Sequence, residues 1–86
     1  MSAFYDYGVV EIDVHNMTVD QAAVSIDSKV RRANASVYRI RVIHGYHGGT
    51  AIRDLVRSRY RNNSKVLRIE FGMNPGATDL VLRELF

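Results

Sequence analysis

A chain of 86 residues with no cysteine and a formal net charge of +3 has room for one small domain, and it excludes disulfide staples, thiolate metal sites and a cysteine nucleophile. Hydrophobic residues make up 47% and charged residues 24%, the balance of a folded chain rather than a disordered one. The longest stretch free of Asp, Glu, Lys and Arg, Val42 to Ile52, is shorter than the roughly 18 residues of a membrane span, and the N-terminus has neither the basic nor the apolar region of a signal peptide, so the expectation is a cytoplasmic domain spanning 1–86, with its core over about 8–85 and residues 1–7 as an N-terminal extension.

Residues Gly8 to His15 alternate: Val10, Ile12 and Val14 point one way, Glu11, Asp13 and His15 the other, as in a half-buried strand. Thr18 with Gln21 three residues on is a capping box. The helix it opens carries Val19, Ala22, Ala23, Ile26 and Val30 on one face, and Arg31, Arg32 and Asn34 close it. Val37 to Ile43 predicts a second strand, with Tyr38, Ile40 and Val42 on one face and Arg39 and Arg41 on the other. The three glycines within His44-Gly45-Tyr46-His47-Gly48-Gly49 oppose any regular element and make it a loop.

Thr50 is a good N-cap for a second helix, with Ile52, Leu55, Val56 and Tyr60 inward and Asn62-Asn63-Ser64 at its end. Val66 to Phe71 predicts a third strand with Leu67, Ile69 and Phe71 inward and Arg68 and Glu70 outward. The turn cluster Gly72-Met73-Asn74-Pro75-Gly76 leads to a fourth strand over Thr78 to Leu85, paired with the third as a hairpin. The order is β-α-β-α-β-β, an α/β chain forming an α+β two-layer sandwich: a four-stranded mixed sheet with both helices on one face. Asp13, Arg39, Arg41 and Arg68 then fall on the open face, which reads either as a platform for a polyanion or as a polar face turned to water.

Charge is unevenly placed along the chain. Residues 1–28 hold five acids and no base, 29–68 eleven bases and one acid, and 69–86 three acids and one base. Ten of the twelve cations are Arg, whose planar fork suits phosphate, so the middle block points to nucleic acid or another polyanion.

Two features carry candidate chemistry. Asp13-x-His15 places a carboxylate beside an imidazole at the carboxyl end of a strand, where ligands bind in open α/β sheets; the carboxylate can orient the ring as a base. The glycine-rich loop leads into a helix whose first N–H groups and dipole favour an anion, a phosphate-site geometry without the Walker spacing. Gly45, Gly48, Gly49 and Thr50 would hold a phosphate there, with Arg41, Arg53 and Arg57 supplying positive field. His15, His44, His47 and Asp13 do not have the spacing of a resident metal site, so no metal and no cofactor are assigned; a Mg²⁺ held loosely through phosphate oxygens is compatible with the sequence.

Ile12-Asp13-Val14-His15 before a Thr-capped helix, then Val42-Ile43-His44-Gly45 and a Gly-containing loop opening a second helix, and finally Asn74-Pro75-Gly76-Ala77-Thr78-Asp79-Leu80-Val81-Leu82, together resemble the Smr (small MutS-related) domain family over about Val10 to Leu85, as a stand-alone member. The resemblance implies a fold similar to the C-terminal domain of translation initiation factor 3. It also implies binding of branched or structured nucleic acid, with nicking of DNA or cleavage of RNA in several members. The family's Asp-x-His motif falls on Asp13 and His15, and its His-Gly-x-Gly loop on His44, Gly45 and, with one extra residue, Gly48. Asn16 stands where the family usually has Gly. On this reading Asp13, His15 and His44 are the catalytic candidates of a nicking endonuclease acting on structured DNA or RNA: Asp13 and His15 activate water or a ribose 2′-OH, and His44 stabilises charge at the reacting phosphate. Two other readings stay open: a non-catalytic RNA-binding or ribosome-associated factor using the same arginines, and a protein-interaction module.

Overall fold

A computed structural model describes residues 5–6, 8–45 and 50–84. They form β1 (Tyr5–Asp6), β2 (Val9–Asp13), α1 (Val19–Arg32), β3 (Arg39–Ile43), α2 (Ala51–Arg59), β4 (Arg68–Glu70) and β5 (Ala77–Val81), in one sheet of order β1-β2-β3-β5-β4. β2 and β3 are parallel, while β5 runs antiparallel to both β3 and β4. The expected four-stranded mixed sheet is therefore present. The N-terminal extension adds a short fifth strand, β1, antiparallel to Val9 and Val10.

The alternation in β2 and β3 sets the two faces. Val10, Ile12, Val14, Ile40 and Val42 join Leu80, Ala22, Ile26, Val30, Val56 and Tyr60 in one buried cluster, and α1 and α2 pack on one another over it. Each buried Val or Ile contributes about 1.5–3 kcal/mol by leaving water. The capping box of α1 forms as expected: Gln21 N–H donates to Thr18 Oγ1 at 3.1 Å and Thr18 N–H to Gln21 Oε1 at 3.0 Å. At the far end of the helix Lys65 Nζ donates to the Arg31 and Ala33 carbonyls at 3.0 and 3.2 Å, satisfying acceptors that a helix end leaves unpaired. The two helices are tied by Asp27, whose carboxylate accepts from the buried Tyr60 hydroxyl and from Arg59 Nη2 at 2.6 Å.

One expectation fails in β4. Ile69 packs against the core, but Leu67 and Phe71 are 55% and 58% exposed. β4 is the outer strand beyond β5, so Leu67 and Phe71, which flank it on the same side as Ile69, lie at the margin of the helix layer. Period two tells which side a residue faces; it does not tell whether anything covers that side.

The open face is not a bare cationic platform. Register sets Glu11, Arg41, Asp79 and Glu70 in one row across the sheet. Arg41 Nε and Nη2 grip the two Asp79 oxygens at 3.0 and 3.1 Å. Arg39 bridges Asp79 at 2.6 Å and Glu70 at 2.9 Å. Arg68 reaches Glu70 at 2.6 Å and also pairs with Glu84. Arg68 first, then Arg39, hold the Glu70 carboxyl below its ordinary range. Three arginines thus meet three partner acids in one ladder, with Glu11 a further 4.0 Å from Arg41. Paired in this way, their charges are largely spent within the protein.

Candidate functional site

The parallel register of β2 and β3 brings Asp13 opposite Ile43, so the chain leaving β2 and the chain leaving β3 emerge side by side. Val14 N–H still donates to Ile43 O at 2.9 Å. His15 and Gly45 meet next: a Cβ placed on Gly45 would stand 3.3 Å from that of His15. Gly45 also has φ +74, a left-handed conformation that glycine adopts without strain. Its N–H and that of His44 both donate to Gly76 O, at 2.9 and 2.8 Å. The first two residues of the glycine loop are thereby anchored to the turn that enters β5.

Asp13 and His15 form a preorganised pair. Asp13 Oδ1 accepts the His15 backbone N–H at 3.1 Å and also lies against His15 Nδ1. With the carboxylate as acceptor, the ring proton sits on Nδ1 and the Nε2 lone pair is free. The hydrogen bond from the His15 ring holds the Asp13 carboxyl below the usual carboxylate range, and the backbone N–H of His15 adds to this. The side chains of His15 and Asp13 are 47% and 53% exposed. An oriented imidazole with an accessible lone pair is the arrangement of a general base.

His44 is placed differently. It is 6% exposed, with Nδ1 donating to its neighbour's carbonyl, Gly45 O, at 2.8 Å and Nε2 2.9 Å from Thr78 Oγ1. Arg57 Nε donates to the same hydroxyl at 3.3 Å. The donors run one way, from the Arg57 guanidinium to the Thr78 hydroxyl, from that hydroxyl to His44 Nε2, and from His44 Nδ1–H to the Gly45 carbonyl. Burial pushes the His44 ring below its ordinary value, and the nearby Arg57 and Arg53 charges push it the same way. Direct charge stabilisation at a phosphate does not suit a buried neutral ring with both nitrogens engaged. His44 instead positions Gly45 from one nitrogen and Arg57, through Thr78, from the other.

This arrangement has a pH signature. The folded chain holds His44 neutral more strongly than the unfolded chain does. Stability from this source is fully present above the unfolded value of about 6.5 and is lost as pH falls from there toward the lower folded value. Asp13 acts in a separate window, stabilising above 3.8 and losing its contribution as pH drops below that. A thermal-melt series from pH 7.5 to 5 is expected to show a falling midpoint for the wild type, and a flatter profile for His44→Gln.

The remaining sequence candidates divide. Arg53 and Arg57 lie on α2 close enough to His44 to act on its charge. Arg53 also pairs with the exposed Asp54 at 3.2 Å. Thr50 is at the N-cap of α2 but its side chain makes no capping bond; its hydroxyl donates instead to Asp54 Oδ2 at 3.1 Å. Arg41 is not part of this end: it sits on the open face, tied to Asp79. Gly48 and Gly49, together with Tyr46 and His47, lie outside the described residues. Sequence reasoning missed Thr78, which the antiparallel pairing of β5 with β3 sets opposite Val42 and so next to His44. Its signal was membership of the closing motif, without a role. Among the described residues no group of three or more His, Cys, Asp or Glu gathers as metal ligands, and no helix is long and apolar enough to cross a membrane.

Residues 12–78 match the family model described as Smr domain. Among solved structures, the chain is similar to the Smr domain of Thermus thermophilus MutS2, with a TM-score of 0.75, 28% sequence identity, and coverage of 86% of this chain and 98% of that one. No curated protein matches.

Proposed function

The chain belongs to the Smr domain family, and from that premise and the geometry of the sheet end we propose that it is a nucleic-acid-binding domain that hydrolyses a phosphodiester bond in structured DNA or RNA, as a nicking endonuclease. The observation that carries this reading is the close approach of the His15 Cβ to Gly45, 3.3 Å from where a Cβ on that glycine would stand. It supports a reading in which the carboxylate-oriented imidazole acts beside the chain that leads from Gly45 into α2, so that a base and an anion-holding helix end serve one place.

In the proposed reaction a backbone phosphate lies at the start of α2, its oxygens held by N–H groups of the first turn of the helix and by Arg53 and Arg57. Gly48 and Gly49 complete the loop that admits it. His15 Nε2 takes a proton from a water molecule, or from the ribose 2′-OH of an RNA substrate. The deprotonated oxygen attacks phosphorus and the bond from phosphorus to the leaving strand oxygen breaks, that oxygen taking up a proton from His15 or from water; attack by water hydrolyses the diester directly, whereas attack by the 2′-OH leaves a 2′,3′-cyclic phosphate for water to open. Asp13 holds the ring in the tautomer that leaves Nε2 free. His44 is a positioning residue, setting Arg57 and Gly45.

Binding is tested by fluorescence anisotropy on a labelled hairpin over a range of salt. Phosphate contacts release counterions, so log affinity is expected to fall linearly with log salt. Arg53→Ala is expected to weaken binding at every sequence and reduce the magnitude of the slope by about 1. Binding that ignores salt, or no binding to any DNA or RNA hairpin, overturns the reading.

A further inference from the structure

A fourth group stands at the same end of the sheet and has no part in the chemistry above. Phe71 follows the last residue of β4, a strand parallel to β2 and β3 through its antiparallel pairing with β5. Its ring therefore comes out at the end where Asp13, His15 and Gly45 lie. The guanidinium of Arg57 lies over the ring, 4.1 Å from its centroid, and Phe71 is 58% exposed. Met73, in the turn just after it, is fully exposed. A core aromatic would bury both faces; this one has a cation over one face and much of its surface open to water.

We propose that the Phe71 ring, backed by Arg57, is a stacking platform for one unpaired base next to the phosphate held at α2. This inference rests on the nucleic-acid reading above and adds the form of the substrate: a duplex with unstacked nucleotides beside it. Three observations select that occupant. The ring is aromatic and open, so the flat face of any base can lie on it. The cation behind it adds attraction for an electron-rich ring and for the adjoining phosphate. Arg57 is also fixed by Thr78 Oγ1 at 3.3 Å, and Thr78 by His44, so the platform is tied through hydrogen bonds to the residue that sets Gly45. A base inside a blunt duplex is stacked on its neighbours and cannot reach such a ring, whereas a flap, bulge or loop base can.

The test uses the whole chain and two hairpins of the same stem, one blunt and one with a three-nucleotide flap, each made as DNA and as RNA. The wild type is expected to bind the flapped form more tightly than the blunt one. Phe71→Leu, which keeps an apolar side chain and removes the aromatic face, is expected to lose about fivefold to 100-fold on the flapped form, since a base stack is worth about 1–3 kcal/mol, and to keep its blunt-stem affinity within about twofold. Phe71→Tyr restores the flap preference. The DNA and RNA arms tell which polymer supplies the base. Equal loss on both stems, or no loss on either, overturns the platform while leaving the binding reading intact. A wild type that binds no hairpin at all overturns both. A wild type that self-associates without nucleic acid and becomes monomeric on Phe71→Leu assigns the ring to a second copy of the chain, and the platform is then wrong. Melting midpoints of the variants confirm that the exposed site tolerates each change.

Discussion

His15→Ala is expected to lower the rate of plasmid nicking and of structured-RNA cleavage by about 10²–10⁴, the usual worth of a positioned general base, while hairpin affinity changes by less than about threefold. The separation follows from geometry. His15 reaches substrate through a single free nitrogen, and the groups proposed to hold phosphate, the α2 N-terminus with Arg53 and Arg57, do not pass through it. Asp13→Asn is expected to slow cleavage as well. An amide can turn its NH₂ toward the ring and favour the tautomer with Nδ1 as acceptor and Nε2 protonated. Purified wild type and both variants incubated with supercoiled DNA and with a structured RNA give the answer directly. Cleavage that survives His15→Ala unchanged, or that is absent in the wild type, leaves a binding domain in which Asp13 and His15 only fix the loop.

Asp79→Asn is the second large effect, and it acts on the opposite face. The Asp79 side chain is 8% exposed and receives both Arg39 and Arg41. Removing the charge leaves two partly buried guanidiniums short of a partner. Breaking a buried pair costs about 3–5 kcal/mol. Arg39 keeps Glu70 and Arg41 is itself 39% exposed, so solvent screening reduces the expected cost to about 1–3 kcal/mol. For a domain of this size that is a fall in the melting midpoint of about 5–20 °C. The same substitution frees positive charge on the open face, so binding to non-specific duplex is expected to strengthen and its salt slope to steepen. A stable variant with unchanged salt dependence would show that the ladder neither supports the sheet nor masks its arginines.

The contrast between the two faces shows how far the sequence could be read. The inner face was legible residue by residue, because Val10, Ile12 and Val14 obey a local period and Thr18 with Gln21 obeys a local capping rule. The Asp13 and His15 pairing was legible for the same reason: two residues apart on a strand means one side. The parallel pairing of β2 with β3, joined by the crossover through α1, is what brings His15 beside Gly45. What could not be read was long-range register. Arg41 and Asp79 are 38 positions apart, and a slip of one residue would have turned Asp79 inward and left the arginines bare. The basic block over 29–68 therefore looked like one surface. In the fold Arg39, Arg41 and Arg68 are spent on carboxylates, Lys65 on helix carbonyls and Arg59 on Asp27, while Arg57, and Arg53 with its exposed partner Asp54, stand at the candidate site. Phe71 was misread for a related reason, since alternation gives its side of the sheet and only the strand order shows that it lies at the margin. His44 was read as a reacting group because it heads the glycine loop; its burial against Thr78 depends on the antiparallel entry of β5.

The most direct measurement is an amide NMR titration of the ¹⁵N-labelled chain with a short structured hairpin. If one sheet end holds the nucleic acid, the largest shifts fall on His15, Gly45 and the first turn of α2, with Thr50 to Arg53 among them, while Arg39, Arg41 and Asp79 on the open face stay in place. Shifts concentrated on the open face, with His15 and Gly45 unmoved, would contradict a shared site at the ends of β2 and β3.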